Sequence, residues 1–134
     1  MGIFLNVDET RRVLYLRFEG LVTDEELLSR YQQALEWNSV HGYQSGVMDF
    51  TGVASFKVSV QLVRRIAEHS PVIPSESGGI VTIIAPQDEI FGFARMFEVL
   101  GSRTRPAIHV VRSLEAANHL LGVESLDLQP VPGW

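Results

Sequence analysis

Two residues in the stretch MDFTGVASFKVSV, spanning 48–60, have the types and places that invite a chemical reading: Asp49 and Ser59. Asp49 stands inside an apolar strand, where a carboxylate must reach a strand end or find hydrogen-bond donors. It could serve as a general base, but no nucleophile or metal partner flanks it in sequence. The simpler role is a structural acid that accepts the backbone amides of residues 51–53, in a turn expected just after the strand. Ser59 opens a helix, and serine is a preferred N-cap because its oxygen accepts an orphan amide of the first turn. A phosphate would be welcome at the same helix terminus. Ser59 is therefore a candidate phosphoacceptor as well as a helix cap, and capping is the commoner use of a serine placed this way.

Other chemistry finds little footing. His41, His69, His109 and His119 show neither the i, i+4 spacing nor the HExxH arrangement of a zinc site. The absence of cysteine removes disulfides, thiolate ligands and thiol nucleophiles. Ser77-Gly78-Gly79 lacks a P-loop lysine and precedes a strand instead of opening a helix, so it reads as a turn. No G-x-S-x-G elbow is present. The sequence implies no cofactor, no metal and no catalytic residue. A hydrolase that joins Ser59, Asp49 and a histidine in space is the weakest of three functional readings.

The chain has 134 residues, enough for one domain with a substantial core. Eleven basic against sixteen acidic residues leave a net charge of −5, which argues against nucleic acid as a partner. No apolar run is long enough to span a bilayer, and MGIFLNVDE lacks the features of a signal peptide, so a cytoplasmic location is expected.

The positioning elements follow from periodicity. Residues 3–8 and 12–19 alternate in type about a polar ETR and predict a β-hairpin. Thr23 and Glu26 form a capping box, and Leu27, Leu28, Tyr31, Ala34 and Leu35 make one helical stripe. A strand at 46–50, a helix at 60–69, a buried strand at 79–85, a helix at 88–100, a strand at 107–111 and a helix at 114–121 complete the order ββαβαβαβα. This order predicts a single α/β domain over residues 1–122, with a mixed, mostly parallel five-stranded sheet and four helices. Residues 123–134 are expected to form a separate, extended tail.

Three stretches then carry a family resemblance: the hairpin followed by the TDEEL helix, MDFTGVASFKVS, and IIAPQDEIFGFARMF. Together they resemble the SpoIIAA-like branch of the STAS superfamily, the domains of sulphate transporters and anti-sigma-factor antagonists. The resemblance implies a small non-enzymatic regulatory module. In its best-known members the helix-opening serine is phosphorylated and a protein contact is thereby broken. Where those members carry Asp-Ser-(Ser/Thr)-Gly, this chain has Lys57-Val58-Ser59-Val60, so a β-branched valine replaces the glycine.

The 88–100 helix holds the oddest pattern. Ile90, Phe93, Ala94, Phe97 and Leu100 already complete a core stripe. Phe91, Met96 and Val99 lie off it, with Gly92 and Arg95 among them. Those five make a candidate interface for a protein partner or a second copy, as a homodimer, unless loops or the tail cover them. That patch, with the turn at 51–59, supports the first reading: a module for protein–protein contact. The second reading is a carrier of a small apolar or lipid-like ligand, a use known from Sec14-type domains of similar outline. Phe50, Phe56, Phe91 and Phe93 would line its pocket at the carboxyl ends of the strands.

Overall fold

The computed structural model describes residues 2–134. The alternating segments at the start pair as an antiparallel hairpin of β1 (Gly2–Asp8) and β2 (Val13–Thr23). Thr23 accepts the Glu26 amide and opens α1 (Asp24–His41), which the acidic first turn suits and Gly42 terminates. β3 (Ser45–Lys57) leads to α2 (Val60–Glu68), β4 (Val81–Ile84) to α3 (Asp88–Gly101), and β5 (Ile108–Val111) to α4 (Leu114–Leu121). The result is one α/β domain with four helices and a mixed sheet in the order β5-β4-β3-β2-β1-β6.

The strands β2 to β5 pair in parallel and step across the sheet in one direction. Right-handed crossovers then place α1, α2 and α3 on the same face. Their buried residues Leu27, Tyr31, Ala34, Leu62, Ile66, Ile90 and Ala94 join the sheet residues Leu14, Leu16, Phe18, Phe50 and Ile83 in the main core. The rings of Phe18 and Phe50 stack at 4.2 Å, a geometry that adds about 0.5–1.5 kcal/mol beyond area burial. The opposite face is covered by α4, where Ala117 packs with Val13, Tyr15, Val47 and Ile84.

Four expectations need correction. The sheet has six strands, because Gln129–Pro130 of the tail forms β6 against β1. The tail is accordingly no separate extension: Leu126 and Leu128 pack on the second face, Val131 donates its amide to Leu5 at 3.0 Å, and the Asp8 carboxylate accepts the Asp127 amide at 3.0 Å. There is no turn at 51–59, since β3 continues to Lys57 and pairs in parallel with the far half of β2. Gly52 and Gly20 lie between two register shifts in the β2–β3 ladder, and Gly20 takes φ +68°, the left-handed conformation of a bulge.

The fourth correction concerns α3. Leu100 is 45% exposed and lies outside the core. The buried positions are Ile90, Ala94 and Gly101, with Phe93 and Phe97 half-buried. Gly101 ends the stripe because Arg105 occupies the space beneath it: a Cβ there would lie 3.1 Å from the Arg105 Cδ.

Candidate functional site

Ser59 lies where the N-termini of α1 and α2 meet. Its hydroxyl donates to Asp24 Oδ2 at 2.7 Å and accepts the Leu62 amide at 3.1 Å, while its own amide donates to Asp24 Oδ1 at 2.7 Å. Ser59 is thus the N-cap of α2 and, through Asp24, a tie between two helices. Asp49 is buried on the opposite face of the sheet, with Oδ1 accepting the Thr51 amide at 2.9 Å and Oδ2 accepting the Tyr15 hydroxyl. Burial, then the hydrogen bond and charge of Asp49, push the Tyr15 phenol far above its ordinary value, so it stays a donor. Ser59 and Asp49 share no hydrogen bond, and no histidine bonds to either. The hydrolase trio is not assembled. Among the described residues no group of three acidic, histidine or cysteine side chains could hold a metal ion.

The candidate interface on α3 divides in two. Phe91 is half-buried beneath the Arg112 guanidinium, 3.9 Å above its ring, and Arg112 is held by the Asp88 carboxylate at 2.7 Å. Met96 packs against the main core. Gly92, Arg95 and Val99 face outward; Val99 is 71% exposed and Arg95 pairs with Glu98 at 3.3 Å. The tail does not cover them, because it lies along β1 and ends with Trp134 near Arg30 of α1.

Beneath α3 the packing opens. A cavity of about 60 Å³ is lined by Phe50, Phe56 and Phe93 together with Leu27, Val63 and Ile90. Phe56 meets Phe93 edge-on at 5.3 Å, bridging β3 to α3. Phe91, the fourth ring expected there, is not part of the lining. A second cavity of about 50 Å³ adjoins it and is lined by Leu14, Ile73, Val81 and Arg105. Strand order never reverses across the parallel strands, so the sheet has no switch-point crevice of the doubly wound kind. The space lies under the helices of one face instead.

Arg105 is the residue that sequence reading missed. Its sequence neighbourhood carries no motif, yet it is 7% exposed. Nη1 donates to Ala67 O at 2.9 Å, and Nη2 donates to Ile66 O at 2.8 Å and to the Tyr31 hydroxyl at 2.7 Å. It satisfies the last carbonyls of α2, where a cation also complements the helix dipole. Tyr31 in turn donates to Ser70 O at 2.6 Å. Burial raises the Tyr31 phenol, and the Arg105 charge only partly offsets that. Gly101, the last residue of α3, leaves the space that the Arg105 side chain occupies.

Among the described residues no helix is long and apolar enough to cross a membrane. No family model matches this chain, and no curated protein matches it.

Proposed function

We propose that this chain is a non-enzymatic binding module of SpoIIAA-like, STAS-type build, and that it holds a small apolar ligand between α3 and the sheet. The observation that carries this reading is the pair of adjoining cavities lined by Phe50, Phe56 and Phe93 on one side and Arg105 on the other. Native interiors pack to crystal density and leave few voids larger than a water molecule. Two adjoining spaces that share Tyr31, Met48 and Phe97 as walls offer room for a ligand. The hairpin, the three crossovers onto one face and the Gly-x-x-Arg-Met-Phe helix support the family likeness.

A second reading, contact with a protein partner or a second copy, is favoured by one observation. Val99 and Leu100 are exposed apolar residues on α3, beside the outward-facing Gly92 and Arg95. Regulation at Ser59 would act by separating helices. A phosphate there would replace the hydroxyl bond to Asp24 and set a dianion against that carboxylate. A net charge of −5 fits a partner other than nucleic acid.

Native mass spectrometry of freshly purified protein tests both readings. A monomer that carries extra mass, or that takes up added benzene, supports the ligand module. Bare dimers that Arg95→Glu converts to monomers support the interface. A bare chain that takes up no apolar molecule would sink the ligand reading.

A further inference from the structure

The two cavities adjoin on one face of the sheet, the first under α2 and α3 toward the carboxyl ends of β3 and β4, the second under Pro71, Val72 and Ile73 toward their amino ends. Tyr31, Met48 and Phe97 belong to the walls of both, so these three side chains form the partition. Met48 is an unbranched, adaptable thioether, and Phe97 is only half-buried. The partition is made of side chains that can move.

The two ends differ chemically. The first space is lined by apolar side chains, with the Tyr31 ring at its edge. The second reaches a buried guanidinium whose contacts are neutral: the carbonyls of Ile66, Ala67 and His69, the hydroxyls of Tyr31 and Thr104, and the Phe97 ring 4.9 Å away. Every salt bridge among the described residues is made by Arg11, Arg17, Arg95 or Arg112, so Arg105 has no carboxylate partner. Dipoles alone leave the net charge in place, and in a poorly screened interior that charge attracts an anion.

We infer that the two cavities are one site and that its ligand is a short linear carboxylic acid. The hydrocarbon chain displaces Met48 and fills the space under Phe50, Phe56 and Phe93, and the carboxylate lies against Arg105. This inference rests on the apolar-ligand reading above and adds the class of ligand. Spaces of about 60 and 50 Å³ bound the size. An engineered apolar cavity that holds benzene has roughly 150 Å³. Together the two spaces fall short of that volume, so an acid of about six carbons enters only once Met48 has moved aside, and a long-chain lipid is too large.

The test titrates hexanoate and then hexanol into protein whose methionine methyl groups are isotope-labelled. The Met48 signal reports the partition, and Met96 serves as a second probe on α3. Hexanoate should shift Met48 and bind about tenfold or more tightly than hexanol, because a hydrogen bond to a charged group outweighs a neutral one. Arg105→Met should remove that preference while leaving hexanol binding intact, which also shows that the variant is folded. Should Arg105→Met fail to fold, Ala94→Val takes its place. It narrows the first cavity and should weaken both ligands with the circular dichroism spectrum unchanged. Equal affinities of hexanoate and hexanol in the unaltered protein would overturn the carboxylate assignment and leave the apolar-ligand reading standing. If hexanoate, hexanol and benzene all leave Met48 unmoved, both fall.

Discussion

On the face covered by α1, α2 and α3, the core is built from large side chains, among them Phe18, Phe50, Tyr31, Phe56, Phe93 and Phe97. On the face covered by α4 and the tail, the fully buried members are Val13, Tyr15, Val47, Ile84 and Ala117, mostly small or branched. Rings are rigid and cannot fill every gap where three helices meet a twisted sheet, and there the cavities open. The second face closes with smaller groups and is sealed by two buried carboxylates, Asp8 and Asp49. One face is a framework tied by hydrogen bonds, and the other has room to receive something.

Removing the main tie on the closed face should have the largest effect. Asp8 is 1% exposed and accepts the amides of Arg11 and Asp127 and the Arg11 guanidinium. Asp8→Ala should lower stability by about 2–4 kcal/mol, because three hydrogen bonds to one buried, charged acceptor are lost together. Hydrogen exchange at the Asp127 and Val131 amides should then rise toward that of free peptide. Amides of β4, on the far side of the sheet from the tail, should change only by the global loss. The carboxyl also makes this contact sensitive to pH. Burial alone would raise its pKa, but the amides of Arg11 and Asp127 and the Arg11 side chain outweigh burial and hold it below its ordinary 3.8. A depressed carboxyl stabilises fully above the unfolded value and loses that contribution as pH falls through the folded one. Tail protection should therefore fade below about pH 3.8 in the native protein. In Asp8→Ala it should show no such step; if the step persists, another group controls the tail.

A matched pair of substitutions probes the packing difference directly. Ala94 lines the first cavity, and Ala117 is 1% exposed in the closed cluster. Ala117→Val should cost about 1–3 kcal/mol, the usual penalty of overpacking. Ala94→Val has space to enter and should fall between neutral and a gain of about 1 kcal/mol, as cavity-filling changes do. Urea melts of the two variants decide the matter, and equal losses would mean that the first cavity is not available space.

The difference between the faces was only partly legible in the sequence. Element order and helix positions were readable because caps and breakers coincide with the ends of helical periodicity: Thr23, Ser59 and Ser113 at the starts, Gly42 and Gly122 at the ends. The apolar run of β3 stops at Phe50, so a thirteen-residue strand read as a five-residue strand and a turn. The tail looked separate because its anchors lie more than a hundred residues away, at Asp8 and Leu5, and no local pattern announces a long-range hydrogen bond. Three of the four pocket phenylalanines line the cavity, but Phe91 turns to Arg112, a partner twenty-one residues on that helical spacing cannot foresee. Arg105 was hidden for the opposite reason. Charge usually means surface, and only the folded chain shows that it closes the end of α2.

The smallest expected effect lies at the very end of the chain, and it separates two accounts of how the tail is held. Arg30 stacks its guanidinium 4.9 Å from the Trp134 ring and donates to Gln33 at 2.8 Å on the surface of α1. A cation–ring contact at an exposed site contributes about 0.5–1 kcal/mol. Arg30→Ala should therefore speed exchange of the Val131 amide by only about two- to fivefold if local opening controls it, and leave the Asp127 amide protected. The ring then trims the last residues of a strap whose attachment is the carboxylate of Asp8. If Arg30→Ala instead frees Asp127 as completely as Asp8→Ala does, the order of anchoring is reversed. The closed face would then be sealed from its aromatic end, with the buried carboxylate following the strap into place rather than holding it.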